Sequence, residues 1–162
     1  CSRMVSEALS RHIVDERSGN PSQQSAIRLA VFRAMVVGLG MDLVEVARVS
    51  RMLAKEGQRV TTRLLTEGEW AYCSHMHTPA EHVAARLAAK EAAFKALSGT
   101  EDARGIGWRD IEVSHDDNRR PVLTFHGRAA ERARELQISR ALVTLTHSHE
   151  TAAAVVILER DD

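Results

Sequence analysis

The sequence has little of what marks several protein classes. Its two cysteines, Cys1 and Cys73, form no CxxC pair, which argues against a disulfide framework or a structural zinc and fits a reducing cytoplasm. The longest apolar runs, AMVVGLGM and AAAVVIL, fall far short of the roughly 18 residues of a membrane span, so we expect a soluble protein. Aromatic residues make up 4%, and 22 Lys and Arg balance 22 Asp and Glu. No global charge therefore indicates nucleic acid or a membrane, and any electrostatic signal must be local.

Length and composition suit one folded domain behind a different N-terminal segment. The 162 residues can bury a core, and 44% apolar with 27% charged residues is ordinary for a globular protein. Residues 1 to 34 differ, because RHIVDERSGNPSQQS is polar and contains the breakers Gly19, Asn20 and Pro21. We interpret residues 1 to 34 as an extension, flexible or vector-derived, and place the domain at residues 35 to 162.

The first strand of this domain is predicted to carry an acid on a glycine face. In VVGLGMDL, a predicted buried strand, two sets of residues alternate: Val37, Leu39 and Met41 on one face, Gly38, Gly40 and Asp42 on the other. Because glycine has no side chain, another backbone or a ligand can come close to the Asp42 carboxylate.

The remaining patterns predict an α+β fold. VEVARVSRMLAKEGQR is typical of a helix that stops at Gly57, a short helix is expected around residues 69 to 73, and Pro79 opens a long helix. DIEVSHD and PVLTFHG are predicted strands around the turn DDNRR, RAAERARELQ is a predicted helix, and ALVTLTHSHETAAAVVIL splits into a hairpin. This order favours a compact domain with a long central helix on a small, mostly antiparallel sheet.

The long helix contains AARLAAKEAAFKAL, in which Glu91 lies at the edge of an apolar stripe and Lys95 follows one turn later. One interpretation is an ordinary surface pair at i and i+4. The other interpretation pairs Glu91 with Asp42. These two acids are the ones whose positions are least explained by exposure to solvent. Two carboxylates brought together repel unless a cation lies between them, and Mg²⁺ is commonly held by one or two carboxylates with water and substrate phosphates. Lys95 would then face the same phosphates.

Four segments in order, VGLGMDLVEVARV, TRLLTEGEW, AARLAAKEAAFKAL and LTHSHETAAAVVIL, resemble the holo-acyl-carrier-protein synthase group of 4'-phosphopantetheinyl transferases. The resemblance runs from about residue 35 to about residue 159, and its strongest motif pairs the KEAxxK core, Lys90 to Lys95, with the upstream GxD that ends at Asp42. It implies the 4'-phosphopantetheinyl transferase fold.

The resemblance also implies a reaction. In this family the serine of an apo carrier protein attacks the β-phosphate of coenzyme A in the presence of Mg²⁺, and 3',5'-ADP leaves. Carried over, Asp42 and Glu91 become metal ligands, and Glu91 also a candidate to orient water or accept the serine proton. Lys95 would neutralise charge on the phosphates.

Three further residues match coenzyme A-binding positions. The resemblance implies that Arg86 contacts the 3'-phosphate, which a guanidinium binds through paired hydrogen bonds. His147 matches a position that meets the pyrophosphate, although a structural histidine at a strand end is the alternative. Pro121 matches a position where a neighbouring protomer of a homotrimer closes over the adenine. The family usually has an aromatic residue where this chain has Leu87, from which we expect altered packing with the chemistry retained.

A basic stripe indicates a partner surface. Arg48, Arg51, Lys55 and Arg59 lie on one face of the first helix, with Arg63 a weaker addition. A solvated helix face is one explanation. The resemblance favours docking of an acidic acyl carrier protein, whether stand-alone or a domain of a large synthase, with Arg48 as the matching contact.

Two interpretations from other classes remain. Six residues could serve a metal-binding protein, although they lack a standard finger spacing: Cys73, His75, His77, His82, His147 and His149. Alternatively, the basic helix could contact nucleic acid in a non-enzymatic module. The short stripe, the few aromatics and the near-neutral pI of about 7.3 argue against that role.

Overall fold

The structure is a computed structural model that describes residues 34–97 and 104–162. Five strands and five helices lie in those ranges. The N-terminal half contains β1 (Ala34–Glu45), α1 (Val46–Glu56), α2 (Gln58–Leu64), α3 (Glu67–Ser74) and α4 (Pro79–Leu97). After a 3₁₀ turn (Trp108–Asp110) follow β2 (Ile111–His115), β3 (Pro121–Phe125), α5 (Gly127–Glu135), β4 (Arg140–His147) and β5 (Thr151–Asp161). The predicted extension, residues 1 to 34, lies outside the described residues except for Ala34.

The strands are antiparallel, as predicted, but they form two sheets where the sequence analysis expected one. The larger has the order β1-β5-β4 and the smaller is the β2-β3 hairpin. In the larger sheet, Asp42 of β1 pairs with Ala154, and His147 of β4 pairs with Ala152. Two residues that the sequence analysis singled out therefore lie on opposite edge strands, on either side of β5.

The glycine face of β1 packs directly on α4. A Cβ atom placed on Gly40 would overlap the Ala92 carbonyl oxygen, and one on Gly38 would overlap that of Ala96. The helix contributes small side chains in return, because Ala92 and Ala96 are buried. Strand and helix backbones thus come into close contact beside Asp42, which confirms the predicted purpose of the two glycines.

The opposite face of the larger sheet is not covered by any of the described residues. Leu39 and Met41 are 66% and 60% exposed, and Leu43 and Leu142 are exposed beside them. The expectation that β1 is buried is therefore wrong for this face. From Gly38 to Asp42 the two faces alternate as predicted, and no described helix packs on the face of Leu39 and Met41. Val37 was expected on that same face, which is wrong, because the register shifts at this residue and its side chain packs against the core.

The helices before α4 differ from expectation in one respect. Gly57, with φ of +50°, caps α1, and a separate helix, α2, follows at once. A positive φ breaks the helical path, so a continuous stripe cannot run past this point. Helix α3 is confirmed, and Thr66 with Glu69 forms its capping box. No helix among the described residues is long and apolar enough to cross a membrane.

Candidate active site

Strand β1 and helix α4 bring together two of the predicted site residues. The Lys95 ammonium lies 2.7 Å from Asp42 Oδ1 and donates a second hydrogen bond to the Met41 carbonyl oxygen at 3.1 Å. The hydrogen bond to Asp42 raises the pKa of Lys95, so the ammonium stays charged at neutral pH. Because Lys95 is partly exposed, this pair can rearrange around a ligand.

Glu91 and Asp42 line the same groove. It has a volume of about 680 Å³ and runs between β1, α1 and α4. Arg48, Leu87 and Trp108 line it too. The two acids that the sequence analysis paired thus share one groove with the first residue of the basic stripe.

The donor chemistry of this groove fits a magnesium ion better than a transition metal. The described residues hold no group of three or more His, Cys, Asp or Glu side chains arranged for a metal ion. A pair of carboxylates is sufficient for Mg²⁺, which fills its octahedron with water and phosphate oxygens. Asp42 and Glu91 are the residues that would hold it, and Asp42 would then exchange its contact with Lys95 for the metal.

A second, smaller cavity of about 160 Å³ lies beside Glu91. Its wall is mainly apolar, with Phe94, Ile106 and Ile111, and Trp108 again contributes. Trp108 therefore borders both spaces that open next to the Glu91 carboxylate. Sequence reasoning missed this residue, because nothing in its local pattern connects it with α4.

A buried ion pair holds Trp108 in place. The Lys90 ammonium lies 2.8 Å from Glu69 Oε2 and donates to the carbonyl oxygens of Trp108 at 2.8 Å and Ile111 at 2.6 Å. Glu69 Oε1 accepts from the Val113 amide at 2.9 Å. Burial lowers the pKa of Lys90, while Glu69 acts in the opposite direction. Lys90 thus uses all three N–H donors to fasten the 3₁₀ turn to α4, one residue from Glu91.

Arg86 lies on a buried face of α4. Its guanidinium carbon is 4.3 Å from the centre of the Tyr72 ring, and Nη1 donates to the His82 carbonyl oxygen at 3.3 Å. Only 3% of the residue is exposed. Among the described residues Arg86 Nε is the one buried side-chain nitrogen or oxygen without a hydrogen-bond partner. The predicted phosphate contact would give this group a partner.

His147 ends β4 beside the N-terminal turn of α4. Its Nδ1 lies 3.3 Å from Glu81 Oε2, and His149 Nδ1 lies 2.7 Å from Glu81 Oε1. These contacts, with His149 first, hold the pKa of Glu81 below its usual value. The His82 and His147 ring centres are 5.0 Å apart. His147 and His149 therefore both contact the Glu81 carboxylate.

The positions of Cys73 and His82 also argue against the histidine-based metal interpretation. Cys73 lies in α3 and His82 in α4, on two different helices. Cys73 is fully buried, and burial raises the pKa of its thiol to about 11. A thiol in that state is a poor metal ligand.

Pro121 is the first residue of β3 and pairs with His115, the last residue of β2. The His115 ring lies 4.8 Å from Tyr72, which stacks on Arg86. The hairpin of a single chain thus reaches the vicinity of Arg86. The predicted contact of Pro121 with a neighbouring protomer's ligand stays a prediction.

The basic stripe is interrupted by the break at Gly57. Arg48, Arg51 and Lys55 are exposed on α1, whereas Arg59 lies on α2 with Arg63. The prediction that Arg59 extends the stripe on the first helix is wrong, because the offset of 11 residues assumed one continuous helix. Three charges remain aligned on α1, and Arg48 reaches the groove of Asp42 and Glu91.

This combination of fold and groove agrees with the comparisons with known proteins. The family model of the 4'-phosphopantetheinyl transferase superfamily matches residues 38–156, and the chain belongs to that superfamily. A holo-[acyl-carrier-protein] synthase of Alkalilimnicola ehrlichii is 46% identical over 129 residues, which cover 79% of this chain and all of the relative.

Solved structures show the same fold. A holo-(acyl-carrier-protein) synthase of Bacillus anthracis, in complex with CoA (3',5'-ADP), is 35% identical with a TM-score of 0.63 and is matched over 79% of this chain and 100% of its own. The holo-[acyl-carrier-protein] synthase of Neisseria meningitidis is 29% identical with a TM-score of 0.68, over 78% of this chain and 100% of its own. The expected 4'-phosphopantetheinyl transferase fold is confirmed.

Proposed function

We propose that this protein transfers the 4'-phosphopantetheine arm of coenzyme A to a serine of an apo acyl carrier protein and releases 3',5'-ADP. The observation that carries the proposal is the single groove that Asp42, Glu91 and Arg48 share, next to Lys95. The residues proposed to bind the phosphates and the arginine proposed to contact the carrier protein thus lie at the same groove. The similarity to holo-acyl-carrier-protein synthases, one of them bound to CoA, supports the same activity over a nucleic-acid module.

The reaction needs a base and charge stabilisation. The serine oxygen forms a bond to the β-phosphorus, the bond from that phosphorus to the bridging oxygen breaks, and 3',5'-ADP carries away the electron pair. Glu91 accepts the serine proton, directly or through a water that it orients. The Lys95 ammonium stabilises the charge that grows on the bridging oxygen. Mg²⁺, held by Asp42 and Glu91, would supply further charge neutralisation on the phosphates.

Helix α1 is the proposed docking surface for the carrier. Arg48, Arg51 and Lys55 present positive charge to an acidic helix, which steers the encounter and sets the register. Beside them the groove offers apolar contacts from Met52 and Leu87. Leu87 stands where the family usually has an aromatic residue, and it leaves a smaller apolar surface there. A stand-alone carrier of cytoplasmic fatty-acid synthesis and a carrier domain would both fit this surface.

The uncovered sheet face supports self-assembly as a homotrimer. Leu39, Met41, Leu43 and Leu142 form an apolar patch that monomeric proteins rarely expose. Association of three copies through this face would remove the patch from water.

The activity is tested by intact mass spectrometry of an apo acyl carrier protein incubated with this protein, coenzyme A and Mg²⁺. We expect the carrier to gain the mass of one phosphopantetheine arm, and to gain nothing when EDTA is added. Failure of the folded protein to modify any of several carriers, stand-alone and domain, would contradict the proposal.

A further inference from the structure

The buried Arg86 side chain lies against Tyr72, which belongs to a cluster of four aromatic rings. Tyr72 of α3 stacks on its guanidinium, and the rings of His82 and His115 lie 5.9 Å and 4.8 Å from Tyr72. His147 follows at 5.0 Å from His82. Helices α3 and α4 and strands β2 and β4 thus each place a ring in one cluster. The function proposed above uses only Arg86 and His147 of this set.

Arg86 brings a positive charge into this cluster without a carboxylate partner among the described residues. Arg86 is almost fully buried, its Nε has no hydrogen-bond partner among the described residues, and no described carboxylate forms an ion pair with it. Glu81 contacts His147 of the cluster and His149, and Asp116 pairs with Arg120, so these two acids are bound to residues other than Arg86. A buried guanidinium with unused donors is costly, so an anionic ligand would satisfy it.

The imidazoles respond to the same environment. Burial lowers the pKa of His82, and His147, Arg86 and His115 lower it further, while Glu81 alone opposes them. The His82 imidazole is therefore less readily protonated than a free histidine.

The surroundings of His115 also lower its pKa. Burial lowers its pKa first, then Arg86 and Arg119, and Asp116 opposes them. A dianion bound between these groups would reverse the balance, because its charge favours the protonated imidazole.

We infer that His82 and His115 are specificity-determining residues that bind the 3'-phosphate of coenzyme A together with Arg86 and take up a proton as they do so. This inference rests on the proposed use of coenzyme A. The 3'-phosphate is a monoester with close to two negative charges at neutral pH, whereas each phosphorus of the pyrophosphate carries one. A buried guanidinium without a carboxylate partner, beside imidazoles that can gain protons, therefore discriminates in favour of the monoester.

The sign of the pH dependence follows from the bound state. Because the ligand raises the imidazole pKa values, the extra affinity is present at lower pH and is lost as pH rises through the values of the complex. The preference for coenzyme A over 3'-dephospho-coenzyme A should thus grow as pH falls from about 8.5 toward 7. Below about pH 6 the phosphate itself gains a proton, so the measurement belongs above that value.

The test is isothermal titration calorimetry of the full chain at pH 7.5, in HEPES and in Tris. The difference in heat between these buffers reports the protons exchanged. The ligands are coenzyme A and 3'-dephospho-coenzyme A, and the proteins are the unaltered chain, the double variant H82Q/H115Q and the control H77Q, which removes an exposed imidazole between α3 and α4.

We expect proton uptake with coenzyme A and none with its dephospho form. H77Q should keep this uptake. H82Q/H115Q should lose it, and its preference for coenzyme A should fall by about tenfold or more, as expected for lost charge-assisted hydrogen bonds.

Two results would overturn the inference while leaving the proposed function intact. One is equal uptake with both ligands, which would assign the protons to the pyrophosphate. The other is unchanged uptake and preference in H82Q/H115Q that still modifies the carrier. If the unaltered protein bound neither ligand and failed in the mass-spectrometry assay, both proposals would fall together.

Discussion

The Lys90 ammonium and the Glu69 carboxylate form an ion pair at 2.8 Å in which each side chain is 1% exposed. The pair joins α4 to α3, and Lys90 also holds the turn that carries Trp108. Adjacent residues of α4 thus have separate tasks. Lys90 fastens the wall of the groove from inside, while Glu91 faces the groove itself.

Replacing Lys90 by Met should destabilise the protein by about 3–5 kcal/mol, because Glu69 would be left buried without its cation. The double variant E69Q/K90M removes both charges and should lose less than the sum of the single variants. Urea unfolding followed by circular dichroism measures both effects. A stability of K90M within 1 kcal/mol of the original, a small change on the usual mutational scale, would show that the pair is not the link described here.

Replacing Glu91 by Gln should leave the fold intact and abolish turnover. The variant keeps the volume of the side chain but removes the charge that binds the metal and accepts the proton. We expect a loss of at least about 10²-fold in kcat, in the range of general acid–base catalysis. Steady-state assays with a matched unfolding curve test this role. Full specific activity in folded E91Q would exclude it.

Reversing a charge on α1 should weaken the binding of the carrier protein and leave the binding of coenzyme A nearly unchanged. For R51E we expect the KM for the carrier to rise by about tenfold, with little change in the KM for coenzyme A, because the basic face steers an acidic partner. The control is R134E, which reverses an exposed charge on α5. An equal effect of the two variants would mean that total charge matters and that α1 is not the docking surface. Added salt should shrink the R51E effect.

Placing a charge on the uncovered sheet face should dissociate the assembly. L39E puts a carboxylate into the apolar patch, where association would bury it without a partner. Analytical ultracentrifugation should show trimers for the original protein and monomers for L39E. The control T124E changes an exposed strand position of the smaller sheet. A monomeric original protein would rule out this assembly.

Local sequence patterns were sufficient to predict most helices and strands and part of the candidate site. Strand alternation predicted the glycine face of β1, and the i, i+4 spacing placed Lys95 one turn after Glu91 on α4. Gly57 was recognised as the end of α1. These features depend on backbone periodicity and on residues with unusual backbone freedom, both of which can be read within a few residues. The resemblance, carried by four such segments, supplied the family.

The sequence by itself determined most of the secondary structure, apart from the separate helix α2, together with the glycine-backed strand of Asp42 and the family motif. Only the tertiary structure decided that Lys90 pairs with Glu69, that Arg59 leaves the stripe of α1, that one sheet face stays uncovered and that two further histidines approach Arg86. Each of these results depends on contacts between residues distant in the chain or on a change of direction at one glycine. Side-chain periodicity describes which face a residue occupies, but not what packs against that face, and the partner decides whether a charge is satisfied, buried or available to a ligand.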